Sequence, residues 1–595
     1  MNIYEALKNY ISNMLSEVQG MKVLVLDHET TGIISLIYSQ SELLQKQVFL
    51  VDKLEKQERE TLTHLKGLIF IRPERQNIIK ISEELQNPKY GEYHIFFSNI
   101  IQKNQLEELA KADTHKAIHQ VQEFYADYHA VNPDLFALNI PSVNDILTKN
   151  PDKSLITRIA EGIASVCLSL KKNPVIRYQS GFETTHLIAA KLYGIIKKDQ
   201  ELFDFRRKGS RPLLLILDRR SDPVTPLLNQ WTYQAMVHEM FGVEKNIVSL
   251  KSVVGMRKDM QEIVLSPYQD EFYRDNMFLN FGELGDSMKQ LVEGYSETSK
   301  FTQNIQTIED MKRFVEQYPE FKKISGNVTK HVTLVSEISR NIDVKSLFEV
   351  SELEQSLATT ESHKTHYEGI ERMIEKYEVS KRDALRLALL YALRYQNKSN
   401  NKTSTLIESL HRKGVSSEKL RLLTQIVLYA GSQVRPEDIF YNKNILSMLR
   451  GRFKKSLKDV ESIYTQHTTL LAEIIDKAKK NKLSETSFPF ISQDSKSNQE
   501  VPLQNLIVFF VGGATYEEAT AIHEFNSKSS PLIDNDPNSK VHISQVPKSR
   551  STQKSINSQL DIPLNVILGG NWIHNSKSFL KEVAKFKPEK SHKKN

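Results

Sequence analysis

An α/β protein carrying a large α-helical insertion is the fold class this sequence predicts, on three observations. Short apolar runs at 22–26 (KVLVL), 48–51, 67–71 and 93–97 alternate with helical patterns, which implies an open, mostly parallel sheet. Strand signals fade from 246 to 482, where helical periodicity dominates. They return at 505–511 and 564–568, so the helical part sits inside an α/β part.

The chain opens on a helix at 3–18, because Ile3, Leu7, Tyr10, Ile11, Met14, Leu15 and Val18 fall on one face. The strand at 22–26 is of the buried type, apolar from Val23 onward as suits a strand covered on both faces, and ends at Asp27. No G-x-G-x-x-G follows it, so dinucleotide binding has little support. Over 103–128, Leu106, Leu109 and Ala110 form one apolar cluster. Ile118, Val121 and Phe124 form another with Glu123 beside it, and the spacing reads as a helix pair packed on the sheet. A short strand follows at 134–138. An amphipathic helix at 155–170 takes Cys167 as a small apolar residue. The next helix, GFETTHLIAAKLYGII, is expected to be capped by Thr184 or Thr185, with His186 in a structural role.

The stretch 212–242, PLLLILDRRSDPVTPLLNQWTYQAMVHEMFG, organises the rest. A buried strand at 213–217 ends at Asp218, and residues 219–223 form a charged turn. Thr225 is placed as an N-cap with Pro226 at the first helical position, and Gly242 as the C-cap of the following helix. Asp218 and Asp222 could suggest a catalytic pair. No nucleophile, histidine or metal-ligand cluster lies nearby in sequence, so ion pairs capping a buried turn are preferred.

Within the insertion, Pro319 interrupts a long helical pattern and is expected to end or kink it. His363 and His366 have the spacing of metal ligands but no matching carboxylate or cysteine set. Ser380 and Asp383 form a capping box, 395–404 is a polar connector, and 405–431 is helical with Gly431 as its stop. A loop is expected at 484–500. The glycine pairs 512–513 and 569–570 read as tight strand-to-helix turns, since no Lys-Ser/Thr follows either, and Glu517 and Glu518 suit the dipole of the next helix. The strand at 213–217 and the late strands flank the insertion, so one sheet built from both sides is the simplest closure. Polar loops at 526–538 and 545–559 precede a tail, 585–595, with five lysines against one glutamate.

Composition narrows the class of function. The chain is 26% charged, with a mean hydropathy of −0.43 and no apolar run near the roughly 20 residues of a membrane span. The N-terminus lacks the basic-then-apolar order of a signal peptide. Cys167 is the only cysteine, which excludes an internal disulfide or a cysteine metal cluster and fits the reducing cytosol. A net charge of +7 without a basic stripe interleaved with aromatics gives no support to nucleic-acid binding.

Three segments carry a resemblance: LLILDRRSDPVTPLLNQWTYQAMVHE, VFFVGGATYEEA at 508–519 and VILGGNWIHNSKSFL at 566–580. Together, in this order and at this chain length, they resemble the SM (Sec/Munc) family of SNARE-assembly proteins, closest to its vacuolar-protein-sorting forty-five branch. The resemblance implies an arch-shaped three-domain fold, with two parallel-sheet α/β domains and a mainly helical third. Domain 1 would span 1–133, domain 2 would be split into 134–245 and 483–595 including the basic tail, and domain 3 would span 246–482.

It also implies partners. A pocket for the N-terminal peptide of a syntaxin-type SNARE would include Leu106, Leu109, Ala110 and Glu123. Asp27 and Asp52 match acidic cleft positions, while Gly32 and Ser39 stand where neuronal relatives carry basic residues. A hairpin over 305–340, with Pro319 at its bend, would bind both a syntaxin-type and a synaptobrevin-type SNARE and template the assembled bundle. The expected protein is a monomer without cofactor, metal or catalytic step. It would be cytoplasmic and held peripherally on trans-Golgi network and endosomal membranes through its SNAREs. Two other classes are weighed against it: a phosphate- or nucleotide-handling α/β enzyme using Asp218, Asp222 or the 512–513 turn, and a passive membrane-tethering scaffold.

Overall fold

The computed structural model describes residues 1–56, 58–205, 210–303, 308–440, 464, 466–492, 502–529 and 563–587, without the side chains of 297–323 and 528–529. The loop expected at 545–559, residues 493–500 and 530–538 of two others, and the tail beyond 587 lie outside the described residues, while 526–529, expected to open a loop, are the last residues of the helix Tyr516–Ser529.

After α1 (Ile3–Glu17), the strands β1 (Lys22–Leu26), β2 (Val48–Lys53), β3 (Leu62–Ile71), β4 (Tyr90–Phe97) and β5 (Ile118–Glu123) pair in the order β2-β1-β3-β4-β5. Every neighbouring pair is parallel. Parallel neighbours need crossovers, and α2 (His28–Ile37), α3 (Gln40–Gln45), α4 (Arg75–Leu85) and α5 (Lys103–Ala112) supply them. Val23, Val25, Ile69, Ile71, Ile95 and Phe97 pack with Ile78, Ile81 and Leu85 of α4 and Leu109 of α5. Leu24, Leu26, Leu68, Phe70 and Phe96 pack on the other side with Leu7, Ile11 and Met14 of α1. Covering both faces is what makes 23–26 and 68–71 apolar at every position.

The helix pair expected over 103–128 is instead one helix and one edge strand. The pairing of β4 with β5 shifts register between Tyr93 and His94, so one residue of β5 is bulged. Ile118, Val121 and Glu123 therefore register with Tyr93, Ile95 and Phe97, on the sheet face that α5 covers. The three-residue spacing of Ile118 and Val121 comes from this bulge, while Phe124 follows the strand and packs in the core on the other side of the sheet.

A second sheet has the order β6-β7-β15-β13-β9-β8. It contains β6 (His129–Asn132), β7 (Leu135–Ala137), β8 (Val175–Tyr178), β9 (Leu213–Asp218), β13 (Asn505–Val511) and β15 (Asn565–Gly570). The single sheet expected from strands on both sides of the insertion is what forms: β13 lies between β9 and β15, parallel to both. α6 (Lys153–Ser169) carries Cys167 fully buried. α7 (Glu183–Lys198) has no side-chain cap, because Thr184 donates to Asp218 and Thr185 to the Gln179 and Phe182 carbonyls.

The turn after β9 is closed by ion pairs. Arg220 donates to both oxygens of Asp218, at 2.8 and 2.7 Å. Arg219, fully buried over the Phe510 ring, donates to both oxygens of Glu518 at 2.8 and 2.9 Å. Asp222 accepts from the backbone of Val224 and from the backbone and hydroxyl of Thr225. The carboxylates thus cap and pair as expected, but the helix placement is corrected. Thr225–Leu227 is a single 3-10 turn, and α8 (Tyr233–Met240) begins six residues after Leu227. Thr225 is itself capped by Asp222, and Tyr233 and Gln234 bond through their amides to the carbonyls of Leu279 and Met277, which holds the chain before α8 extended.

The insertion begins with a small antiparallel sheet that the sequence did not reveal: β10 (Val243–Glu244), β11 (Ile247–Ser249) and β12 (Glu262–Val264). Helices follow: α9 (Glu271–Asn276), α10 (Phe281–Gln303), α11 (Ile308–Val344), α12 (Leu347–Thr359), α13 (His363–Glu375) and α14 (Lys381–Tyr395). Ser380 caps α14 as expected. His363 bonds to Tyr391, and His366 to Tyr395 and Ser356.

Two buried histidines give the fold a pH dependence. His238 bonds to the Ile573 carbonyl and accepts from the Val243 amide, while His574 bonds to the Gly512 carbonyl. Burial lowers His238 from 6.5 to about 4 and His574 to about 3. A folded value below the unfolded one means the stability is present above pH 6.5 and is lost as pH falls. By pH 5 each site is expected to forfeit about 2 kcal/mol. Thermal unfolding at pH 7 and pH 5 checks this. His238→Gln should flatten the fall, and an unchanged melting temperature between the two pH values would contradict it.

Candidate partner-binding surfaces

Three regions carry the residues that the sequence singles out. The first lies between α5 and β5. Leu106 is 38% exposed and Val121 37% exposed, and Ala110 is also exposed. Leu109 is not a surface residue: at 1% exposure it belongs to the core under α4 and α5. Glu123 is half-buried, accepting from the Ile101 amide at 2.8 Å and from the Tyr125 hydroxyl at 2.6 Å. Leu106 and Ala110 of α5 and Val121 of β5 are thus exposed apolar residues on the sheet side where Glu123 holds a fixed carboxylate. Ile79 of α4 is 37% exposed, and sequence reasoning passed over it because it occupies an ordinary helix position.

The second region holds the two acids expected to line a cleft. Asp27 is 3% exposed and caps α2, accepting from the Thr30 amide (2.7 Å) and hydroxyl (2.9 Å), the Arg72 amide (2.6 Å) and Asn77 (2.7 Å). Burial raises its carboxyl above the ordinary value despite these bonds. Asp27 is therefore a buried organiser of the β1–α2 turn, which corrects the expectation that it faces a partner. Asp52 is 6% exposed, with Lys56 at 3.6 Å. On the same edge strand Phe49 and Val51 are exposed, a feature hidden in the sequence because the run at 48–51 reads as buried. Gly32 lies against His129, where an added Cβ would come within 2.6 Å of the ring, and Ser39 caps α3.

The third region is the helical pair α10 and α11. Tyr295 and Ser325 bond across it at 3.3 Å. The link at 304–307 lies outside the described residues. α11 runs from Ile308 to Val344, so position 319 is inside a helix and does not end one. One proline costs a helix about 3 kcal/mol. Here Val328, Leu334, Ile338 and Ile342 bury the second half of α11, and that anchoring outweighs the local loss. Ile324 and Val332 remain exposed along it.

Two α/β sheets that carry half-exposed apolar residues at one edge and a long helical pair from the insertion define a scaffold for binding other proteins. The model of the Sec1 family matches residues 22–582, and the chain belongs to that family. It is 43% identical to vacuolar protein sorting-associated protein 45 of Homo sapiens over 585 residues, covering 98% of this chain and 96% of that protein. Identity to the protein of the same name from Dictyostelium discoideum is 45% over 529 residues, covering 89% and 92%. Among solved structures, the SM protein Vps45 in complex with the Qa SNARE Tlg2 (1–310) superposes with a TM-score of 0.86 at 39% identity, covering 98% of both chains. The Unc18–syntaxin 1 complex from Monosiga brevicollis shares the fold, with a TM-score of 0.75 at 19% identity over 98% of this chain and 100% of that one. The architecture is thus the arch-shaped SM fold expected from the sequence.

Proposed function

We propose that this chain is a SNARE-binding regulator of vesicle fusion. It holds a syntaxin-type SNARE and templates SNARE assembly in trans-Golgi and endosomal traffic. The observation that carries the reading is the near full-length similarity, at 39% identity, to an SM protein solved with a Qa SNARE. The surface between α5 and β5 receives the N-terminal peptide: Leu106 and Val121 cover one apolar anchor, worth on the order of 1.5–3 kcal/mol when buried. Glu123 attracts a basic residue or the peptide amine. The pair α10–α11 holds syntaxin-type and synaptobrevin-type segments in register, which lowers the ordering entropy that opposes zippering. The chain works as a cytoplasmic monomer with no catalytic step. It reaches membranes through its SNAREs, and among the described residues no helix is long and apolar enough to cross one.

Calorimetry with syntaxin-type N-terminal peptides tests the reading. Leu106→Arg puts a charge on a residue already 38% exposed, so the fold is expected to survive while affinity falls by roughly tenfold or more, the value of about 1.4 kcal/mol. Undiminished binding would move the site elsewhere. An assembly-rate assay separates templating from passive tethering, which would bind SNAREs without accelerating them. Against the enzyme class, nucleotide with magnesium is expected to leave the melting temperature unchanged, since a ligand at about 100 times its Kd would add about 2.7 kcal/mol.

A further inference from the structure

The root of α11 is fixed by a polar cluster that neither the sequence motifs nor the proposed SNARE contacts use. Asp270 ends the loop before α9, and its Oδ1 accepts from the Tyr273 amide at 3.0 Å as the cap of that helix. Its Oδ2 accepts from two consecutive residues of α11: the ammonium of Lys330, and Nε2 of His331 at 2.9 Å. On the opposite side of the imidazole, Nδ1 accepts from the Tyr233 hydroxyl of α8 at 2.8 Å. Lys330 also reaches the Val264 carbonyl of β12 at 3.4 Å. His331 is fully buried, in a stripe otherwise made of Val328, Leu334, Ile338 and Ile342. Three surrounding elements therefore grip two adjacent residues of one helix.

A hydrophobic stripe alone tolerates small slides and rotations, because apolar contacts have no direction. Hydrogen bonds from a buried imidazole in two directions do not, since a slide of one residue would leave Asp270, His331 and Tyr233 unpaired. Burial would raise the Asp270 carboxyl, but His331 and Lys330 outweigh it and hold the group well below its ordinary value. The same loop carries Tyr268, whose ring stacks on Tyr4 of α1 and packs against the core shared by the two large sheets. The segment from Tyr268 to Asp270 thus joins the N-terminal helix to the root of the hairpin.

We propose that Asp270 is a positioning residue for SNARE templating: through Lys330 and His331 it sets the axial register and direction in which α11 leaves the core. The proposal rests on the reading of α10–α11 as the SNARE-holding element. Asp270 touches no SNARE and acts only through α11.

The test uses the full chain with Asp270→Asn, which keeps an acceptor for the Tyr273 amide but removes the charge. Lys330→Met removes the ammonium alone and serves if the first variant fails to fold. Three readouts are taken: affinity for a syntaxin-type N-terminal peptide, amide exchange across 324–344 without SNAREs, and the assembly rate of a syntaxin-type with a synaptobrevin-type cytoplasmic segment. The expected result is unchanged peptide affinity, faster exchange around 328–334, and an assembly rate lower by roughly tenfold, within what a misplacement of about 1 Å can cause. Wild-type exchange and assembly rate in a folded variant would overturn the proposal. A parallel loss of peptide affinity would also overturn it, because the defect would then be general. If the wild-type chain itself accelerates no assembly, the templating reading falls and this role with it. The exchange comparison then still shows whether the clamp fixes α11.

Discussion

Arg386→Leu is expected to destabilise this protein more than any other single change named here. The guanidinium is fully buried in α14 and meets Glu354 of α12 at 2.6 Å, Glu239 of α8 at 3.1 Å and Asp383 at 3.3 Å. Burial opposes its charge, but the three carboxylates outweigh burial and raise the group above its ordinary value. Each carboxylate also orders backbone or side chains elsewhere. Glu354 accepts from the Asn229 amide, and Glu239 from the amide and hydroxyl of Ser576. Breaking one buried pair costs about 3–5 kcal/mol, because the remaining charge is left uncompensated. Removing Arg386 strands Glu354 and Asp383 and leaves Glu239 only the partly exposed Arg382 at 3.6 Å, so the loss should reach the top of that range. Urea unfolding followed by the fluorescence of Trp231 and Trp572 measures it. Adding Glu354→Gln and Glu239→Gln to the variant should recover part of the loss, since two of the three carboxylates disappear. A single variant with wild-type stability would show that the cluster is solvated.

Glu518→Ala is expected to cost about 3–5 kcal/mol by the same logic. Glu518 sits on the first turn of the helix Tyr516–Ser529, is fully buried, and forms a reciprocal cap with Thr515 besides holding Arg219. The Arg219–Glu518 pair joins residues 299 positions apart, from the two portions of chain on either side of the helical insertion. Without it, Arg219 retains Asp222 at 3.6 Å and the Phe510 ring, which places the loss toward the lower end. Thermal unfolding with limited proteolysis distinguishes the outcomes: early cleavage near β9 or β13 supports a seam that opens, and uniform resistance would contradict it. In the sequence, Asp218 and Asp222 could suggest a catalytic pair. Their partners in the fold are Arg220, Arg219 and Thr225, and Glu518, assigned beforehand only to a helix dipole, is the residue that completes the arrangement.

The strands at 22–26 and 505–511 are legible because both faces of each are covered, so every position after the first, Lys22 and Asn505, is apolar. Caps such as Ser380 were legible because a side chain bonding a few residues onward is a local event. Failures occurred where the deciding contact is distant. The helix expected from Pro226 starts only at Tyr233 because backbone bonds to Leu279 and Met277 hold the chain extended. The helix expected near 118–124 is an edge strand with a bulge, and a bulge imitates the three-residue spacing of a helix. Asp27 stands in the sequence as a cleft acid, yet its carboxylate is enclosed by Arg72 and Asn77 from other elements.

By itself, then, the sequence determined the fold class, the split of the second sheet and the family. These follow from apolar runs, their spacing and three motifs, all properties of local chain or of order along it. The tertiary structure alone decided which acids are buried organisers, that Leu109 is core while Leu106 is surface, that α11 passes through position 319, and that Asp270 grips its root. Burial and pairing depend on what comes close in space, and no local pattern records a partner placed tens or hundreds of residues away.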